Sequence, residues 1–234
     1  MNMAPAKPLL KPLPVKICGL TTDVDVAAAL DGGAAYLGFM MYGPSPRNIA
    51  PERAGELARA ARGRAAVVAV TVDADDALID RILQDLAPDW LQLHGQENPA
   101  RAEALKRRTG CGIIRALRVG AAEDIAAAGA FADAADRMLY DARPPAGSVL
   151  PGGNGARFDW SLTAAIPRGR DWFLAGGLTP DNVAEAMADT GAPLLDVSSG
   201  VERTPGYKDA KLIRAFLDAV RGAAPADSAV KADT

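Results

Sequence analysis

The chain has 234 residues, a mass of 24.2 kDa and a formal net charge of -3, from 26 Lys and Arg against 29 Asp and Glu. This length suits one α/β barrel of about 250 residues and leaves little room for a second full domain. Because the sequence has no basic run, we do not expect it to bind nucleic acid, and its two cysteines are too few for a disulfide framework.

The two ends of the sequence differ in composition from the part between them. No stretch is apolar over the roughly 20 residues that a membrane span needs, and the N-terminal residues lack the apolar run of a signal peptide. We therefore expect a cytoplasmic protein that does not contact a membrane. The domain prediction is a flexible N-terminal extension at 1–13, a catalytic barrel at 14–221 and a flexible C-terminal tail at 222–234.

Short apolar runs rich in β-forming residues recur along the chain and predict about eight strands. In chain order the runs are 14–18, 36–41, 65–72, 90–93, 111–117, 138–140, 172–175 and 194–197. Segments with helical spacing lie between them, at 23–30, 51–61, 77–86, 99–108, 181–188 and 208–220. Helix start signals stand at Thr22 or Asp23, at Ala50-Pro51 and at Thr179-Pro180. This alternation favours a single-domain (β/α)8 barrel of the TIM type, with an open doubly wound sheet as the alternative.

In a closed barrel the active site lies where the strands end, so polar residues at the predicted strand ends are the candidates. Cys18 ends the first strand and precedes Gly19, which frees the backbone to turn and expose the thiol. Such a thiol could act as a base or a nucleophile, or could simply pack as a small apolar residue. Cys111, beside Gly110 and Gly112, is assigned a structural role. The other candidates are Lys16, Arg47, His94, Arg118, Asp141, Asp196, Ser198 and Ser199.

Asp141 ends the sixth predicted strand and could serve as a general acid, although a turn or capping aspartate is the alternative. The loop that follows, 143–154, is rich in proline and glycine and longer than most βα loops. It could be a lid over the site or a plain surface insertion.

Two glycine turns follow the last two predicted strands, with Gly176 and Gly177 in the first and Ser199 and Gly200 in the second. Backbone amides in such turns can hold an anion, and barrels commonly bind phosphate at these two loops. Either turn alone could be only a tight turn, but their joint position predicts a site for a phosphate monoester.

Arg47 follows the second predicted strand on a loop containing Pro44 and Pro46, which would fix its guanidinium for a carboxylate ligand. A solvated surface arginine is the alternative reading. His94 is the single histidine, so a zinc site lacks ligands, and a positioning or packing role is the better interpretation.

Six motifs in this order resemble the phosphoribosylanthranilate isomerases of tryptophan biosynthesis, from residue 14 to about 220. They are Lys16-Ile17-Cys18-Gly19-Leu20-Thr21, Gly38-Phe39 with Ser45-Pro46-Arg47, Gln92-Leu93-His94-Gly95, Gly155 with Phe158-Asp159-Trp160, Gly176-Gly177-Leu178, and Asp196-Val197-Ser198-Ser199-Gly200-Val201-Glu202.

The resemblance implies roles for individual residues. Cys18 looks like the general base, Asp141 like the general acid, and Arg47 like the group that binds the anthranilate carboxylate. Gly176, Gly177, Ser199 and Gly200 resemble the phosphate cradle, and His94 and Asp196 resemble further substrate-binding residues. Asn154 departs from the family, which more often has Ser or Thr there. Residues 40–43 also depart from it, since larger aromatic and lysine residues are frequent at those positions.

The reaction that the resemblance implies is an Amadori rearrangement of a phosphorylated aminosugar, which needs one acid and one base but no metal or redox cofactor. The active form would be a monomer or a homodimer. Indole-glycerol-phosphate synthase is an alternative barrel enzyme, but its chemistry depends on lysines and glutamates. A histidine-pathway or dual-substrate sugar isomerase would carry an aspartate where Cys18 stands. A non-catalytic phosphosugar-binding protein is the third alternative.

Overall fold

The computed structural model describes residues 13–143, 159–167 and 169–223. Residues 1–12 of the predicted N-terminal extension, residues 224–234 of the tail predicted at 222–234, and residues 144–154 of the loop that could be a lid or a surface insertion lie outside the described residues, as do Gly155 and Phe158.

Eight parallel strands form a closed barrel in which each strand pairs with the next and the eighth pairs with the first. Their bounds are β1 Val15–Cys18, β2 Tyr36–Met41, β3 Ala66–Thr71, β4 Trp90–Leu93, β5 Gly112–Val119, β6 Arg137–Ala142, β7 Trp172–Leu174 and β8 Leu194–Val197. The pairing of β1 with β8 places Lys16 opposite Asp196. The predicted single-domain (β/α)8 barrel is confirmed, and the open doubly wound alternative is wrong because its sheet would have two free edges.

The described residues form seven α-helices around the barrel. They are α1 Asp23–Asp31, α2 Pro51–Ala58, α3 Asp76–Asp85, α4 Pro99–Thr109, α5 Ala122–Ala126, α6 Val183–Thr190 and α7 Ala210–Ala223. The predicted start signals hold for α1, where the Thr22 side chain accepts from the Asp25 amide, and for α2, which begins at Pro51. No helix in the described part of the chain is long and apolar enough to cross a bilayer.

The later elements differ from the prediction in several places, including α7, which was predicted at 208–220 and spans Ala210–Ala223. The segment after β5 is only the short α5 followed by a 3₁₀ turn, and a 3₁₀ helix at Trp160–Ala165 precedes β7. Helix α6 begins two residues later than predicted, because Thr179 lies in a turn where its amide donates to Asn182 Oδ1. A small antiparallel hairpin of β9 Glu202–Thr204 and β10 Tyr207–Lys208 follows β8.

The barrel interior is apolar except at and near the carboxyl ends of some strands. Side chains that pack inside it include Tyr36, Val68, Val70, Ile114, Leu139, Phe173 and Leu194. At the opposite end the guanidinium of Arg137 stacks over Trp90, 4.4 Å from the ring centroid. A second core fills the space between strands and helices. Because both faces of the strands are packed, polar residues inside the barrel require a local explanation.

Candidate active site

The structure brings the predicted single-residue candidates together at the carboxyl ends of the barrel strands. Cys18, Arg47, His94, Asp141 and Asp196 are between 4 % and 8 % exposed. Cys18 ends β1, His94 directly follows β4, Asp141 is the second-last residue of β6, and Asp196 lies in β8. Arg47 reaches the same region from the loop after β2.

Cys18 faces the barrel interior across from a glycine on the neighbouring strand. Gly38 is its partner in the pairing of β1 with β2. A Cβ atom at Gly38 would lie 3.1 Å from Cys18 Sγ, so only glycine leaves the thiol its full space. The chain then turns at Gly19, which has a φ of +78° and donates its amide hydrogen to Gly38 O.

Beneath the thiol lies a fully buried ion pair. Lys16 Nζ is 2.8 Å from Asp196 Oδ1, and the lysine side chain is 0 % exposed. Burial acts to lower the pKa of the Lys16 ammonium, but Asp196 and Cys18 outweigh it and the pKa is raised. For Cys18, burial raises the pKa of the thiol, and the positive charge of Lys16 opposes that increase. Asp196 is therefore held by Lys16 within the site.

The guanidinium of Arg47 is held by a carboxylate of β9. Its Nε and Nη2 atoms donate to the two oxygens of Glu202 at 2.7 and 2.8 Å, and its stem lies against Gly19. Burial acts to lower the pKa of Arg47, but Glu202 outweighs it and the pKa is raised, with smaller contributions from Cys18 and Asp141. The charges of Cys18 and Asp141 therefore also act on the guanidinium of Arg47.

The hairpin of β9 and β10 supplies the charges around Arg47. Lys208 Nζ donates to Glu202 Oε1 at 2.7 Å and to the carbonyl oxygen of Ser198 at 2.9 Å. The Ser198 hydroxyl in turn donates to the carbonyl oxygen of Cys18. Burial lowers the pKa of Lys208, only partly offset by Glu202. The hairpin thus connects the arginine loop to the cysteine strand.

His94 and Asp141 face each other across the site, with 3.5 Å between Nε2 and Oδ2. On the other side of the ring, Gln92 Nε2 lies 3.0 Å from Nδ1. With the Gln92 amide donating, Nδ1 accepts, and a neutral ring carries its hydrogen on Nε2. The Nε2 atom makes no hydrogen bond within the described residues, although it lies 3.5 Å from Asp141 Oδ2. Arg118 Nη2 donates to the carbonyl oxygen of His94 at 3.4 Å.

The two glycine turns after β7 and β8 lie against each other. Gly176 and Gly177 have φ values of +87° and +67°, a region that favours glycine. A Cβ atom at Gly200 would lie 1.8 Å from the carbonyl oxygen of Leu178, so the second turn touches the first. Ser199 begins a 3₁₀ turn, Ser199–Val201. Paired turns of this kind can direct backbone amides at an anion.

Three partners in this site were given no role from the sequence. Glu202 belongs to the last matching motif, but its contact with Arg47 joins residues 155 positions apart. Lys208 and Gln92 carry no local signal of burial, although Gln92 directly precedes Leu93-His94 in a motif. The sequence signal for the pairing of Glu202 with Lys208 was that these residues of opposite charge stand on either side of Gly206.

Comparisons with known proteins agree with this geometry. A family model described as N-(5'phosphoribosyl)anthranilate (PRA) isomerase matches residues 15–219. The N-(5'-phosphoribosyl)anthranilate isomerase of Caulobacter vibrioides is 55% identical over 209 residues, which are 89% of this chain and 95% of the relative. That of Brucella canis is 52% identical over 211 residues, 90% of this chain and 95% of the relative.

Solved structures give the same result. The phosphoribosyl anthranilate isomerase of Thermotoga maritima matches with a TM-score of 0.77 at 30% identity, over 90% of this chain and 99% of that chain. A phosphoribosyl anthranilate isomerase in complex with reduced 1-(o-carboxyphenylamino)-1-deoxyribulose 5-phosphate matches with a TM-score of 0.76 at 29% identity, over 90% and 99% of the two chains. The chain therefore belongs to the N-(5'-phosphoribosyl)anthranilate isomerase family, as its sequence motifs predict.

Proposed function

We propose that the chain converts N-(5'-phosphoribosyl)anthranilate into 1-(2-carboxyphenylamino)-1-deoxyribulose 5-phosphate, with Cys18 as general base and Asp141 as general acid. The reaction is an aldose-ketose isomerisation of tryptophan biosynthesis, and family membership supports it. The observation that carries the assignment of acid and base is that one thiol and one carboxyl, at the carboxyl ends of strands β1 and β6, are both buried at the same end of one closed barrel.

The proposed reaction needs two proton transfers on one substrate. The Asp141 carboxyl gives its proton to the ribose ring oxygen as the bond from that oxygen to C1 breaks, and the anthranilate nitrogen donates its lone pair to form an iminium. The Cys18 thiolate then removes the proton on C2, and its electrons neutralise the iminium to give an enolamine. Tautomerisation yields the ketose. C1 is reduced as C2 is oxidised, so electrons balance within the substrate. Each transfer is worth about 10²- to 10⁴-fold in rate.

Binding of the substrate is divided among the other groups of the site. Arg47 pairs with the anthranilate carboxylate, and His94 and Asp196 contact the sugar region. The phosphate lies at the turns of Gly176, Gly177, Ser199 and Gly200, where barrels commonly hold it. The analogue in the solved relative also combines a carboxyphenylamino group with a ribulose phosphate, which supports a small phosphorylated aminosugar as the substrate.

The proposal extends to assembly and location. A Thermotoga maritima relative is described as dimeric, and monomers of it were also solved. We infer that this chain works as a monomer or a homodimer in the cytoplasm, without nucleic acid or membrane as a partner. The proposed catalytic barrel spans residues 14–221.

The test is the decay of substrate fluorescence when purified protein is added. Cys18→Ala and Asp141→Asn are each expected to lower kcat by about 10²-fold or more, with KM changed far less, because each removes one proton transfer. Cys111→Ser is the matched control, since its thiol is buried against the carbonyl oxygen of Pro88. Near-normal turnover in either variant would refute its assigned role. A wild-type protein that binds the substrate without turnover would favour the phosphosugar-binding alternative.

A further inference from the structure

The barrel interior contains one fully buried lysine, which the proposed reaction leaves without a role. Lys16 lies on β1 two residues before Cys18, and both side chains point into the barrel. Val68, Ile114, Leu139 and Phe173 are inward-facing residues of other strands. Burying an ammonium is costly, and an ion pair of this kind is often no more stabilising than apolar residues of the same volume. Stabilisation of the fold is therefore a weak explanation for a lysine at position 16.

The ammonium-bearing side chain and the thiol pack over the same glycine. A Cβ atom at Gly38 would lie 3.0 Å from Lys16 Cε and 3.1 Å from Cys18 Sγ. Because Gly38 has no side chain, the Lys16 side chain and the Cys18 thiol can both pack against it. Lys16 Nζ donates to Asp196 Oδ1 at 2.8 Å, so the ion pair joins the neighbouring strands β1 and β8.

Four charged groups act on Cys18 from the elements packed around it. Lys16 comes from its own strand, Asp196 from β8, Lys208 from β10 and Arg47 from the loop after β2. Arg47 and Lys208 both pair with Glu202, which partly neutralises them. Among these groups Lys16 has the largest effect on the thiol, and its sign favours the thiolate.

We propose that Lys16 is a positioning residue that stabilises the thiolate of Cys18, and that Asp196 holds the ammonium beside the sulfur. The inference rests on the proposed function, because it affects catalysis only if Cys18 is the base. Burial in the apolar barrel raises the pKa of the Cys18 thiol, and the buried positive charge of Lys16 opposes that increase.

The first test measures the thiol directly, without substrate. In a Cys111→Ser background, the ultraviolet absorbance of the thiolate is followed as the pH is raised, with the cysteine-free Cys18→Ala/Cys111→Ser chain as the blank. Lys16→Met is expected to move the titration midpoint upward by about one pH unit or more. Lys16→Met/Asp196→Asn is expected to move it upward by less, since that variant also lacks the opposing carboxylate. If Lys16→Met does not fold, the double variant still provides the test, because it leaves no buried carboxylate without a partner.

Lys106→Met is the matched control, because it removes the same charge from a lysine that pairs with Asp136 on the outside of the barrel. Its midpoint should equal that of the parent chain. An unchanged midpoint in the Lys16 variants would overturn the inference.

The second test is the pH dependence of kcat/KM. For Lys16→Met, the rate is expected to fall at neutral pH and to recover as the pH approaches the new midpoint, whereas a merely structural loss would lower it at every pH. A shifted thiol midpoint with an unshifted rate profile would overturn the catalytic role of Lys16. Full activity of Cys18→Ala would instead refute the proposed role of Cys18 as the general base, and would leave the titration result standing.

Discussion

The Arg47 guanidinium shows how a single side chain is prepared for a ligand. One edge of its fork, Nε and Nη2, is occupied by both oxygens of Glu202. Its backbone amide donates to the Ser45 hydroxyl, and its stem rests on Gly19. A flexible arginine would lose rotamer freedom on binding, but this one is already ordered before a carboxylate arrives.

The proposed contact between Arg47 and the anthranilate carboxylate gives a prediction at the same scale. Arg47→Met should raise KM about 10-fold or more, because a charged hydrogen bond is lost. Glu202→Gln should raise KM by less, since the guanidinium remains but is held by one carbonyl oxygen. Steady-state kinetics check both, with Arg53→Met on the exposed face of α2 as the control. If KM is unchanged in Arg47→Met, Arg47 does not bind the substrate.

Individual residues also show which features of the site could be predicted from the sequence and which could not. Cys18, Asp141 and Arg47 could be placed at one end of the barrel because each follows or ends an apolar strand. The partners Glu202 and Lys208 could not be paired with them, since charged residues are usually exposed and these contacts join distant parts of the chain. Lys16 could be seen as a strand residue, but its ion pair depends on the register between β1 and β8.

At the scale of elements, the loops after β7 and β8 function as one unit. Gly200 meets the Leu178 carbonyl oxygen so closely that a Cβ atom would lie at 1.8 Å, and a Cβ atom at Gly176 would lie 2.6 Å from the Ala142 amide nitrogen. The end of β6 and the turns after β7 and β8 are thus in close contact. The position of each turn depends on its neighbour.

Gly200→Ala should therefore separate the two turns. We expect a loss of stability of about 1–3 kcal/mol from overpacking, a higher KM and weaker inhibition by inorganic phosphate. Thermal denaturation and inhibition kinetics measure these effects. Gly129→Ala is the matched control, because nothing lies within 4 Å of its Cβ position. If Gly200→Ala binds phosphate normally, the cradle lies elsewhere.

The strands and the helices α1, α3 and α4 were predictable to within two residues, whereas α2 ends three residues before its predicted end because a 3₁₀ turn follows it. The short α5 was missed because its alanine-rich sequence has no clear polar face. The hairpin of β9 and β10 was missed because strands of three and two residues are too short to show alternation. The late start of α6 depends on the Asn182 side chain, which holds the preceding turn.

At the scale of the whole molecule, several carboxylates hold their charge more strongly in the folded chain than in water. Burial acts to raise the pKa of Glu202 and of Asp136, but their cationic and amide partners outweigh it and the pKa of each is lowered. A lowered folded pKa contributes stability at pH values above the unfolded pKa, about 4. That contribution disappears as the pH falls through the folded pKa.

The melting temperature should therefore decrease as the pH falls below about 4. In the Asp136→Asn variant the melting temperature should decrease less steeply with falling pH. Lys106 and the Ile113 amide bind the Asp136 carboxylate in the parent chain, and the variant has no carboxylate at this position to protonate. Thermal unfolding followed by circular dichroism at a series of pH values checks the slope. Glu52→Gln, at an exposed position of α2, is the control and should keep the slope of the parent chain. An identical slope in Asp136→Asn would contradict this account.

The seam between β1 and β8 also determines when a newly made chain becomes an enzyme. Lys16 and Asp196 are 180 positions apart, so the ammonium has no counterion until the eighth strand has left the ribosome and docked. A shorter nascent chain would have to leave that charge bare among apolar side chains or keep its first strand in water. Closure of the barrel and placement of the Lys16–Asp196 ion pair beside Cys18 therefore occur together. A truncated chain that lacks β8 would have neither.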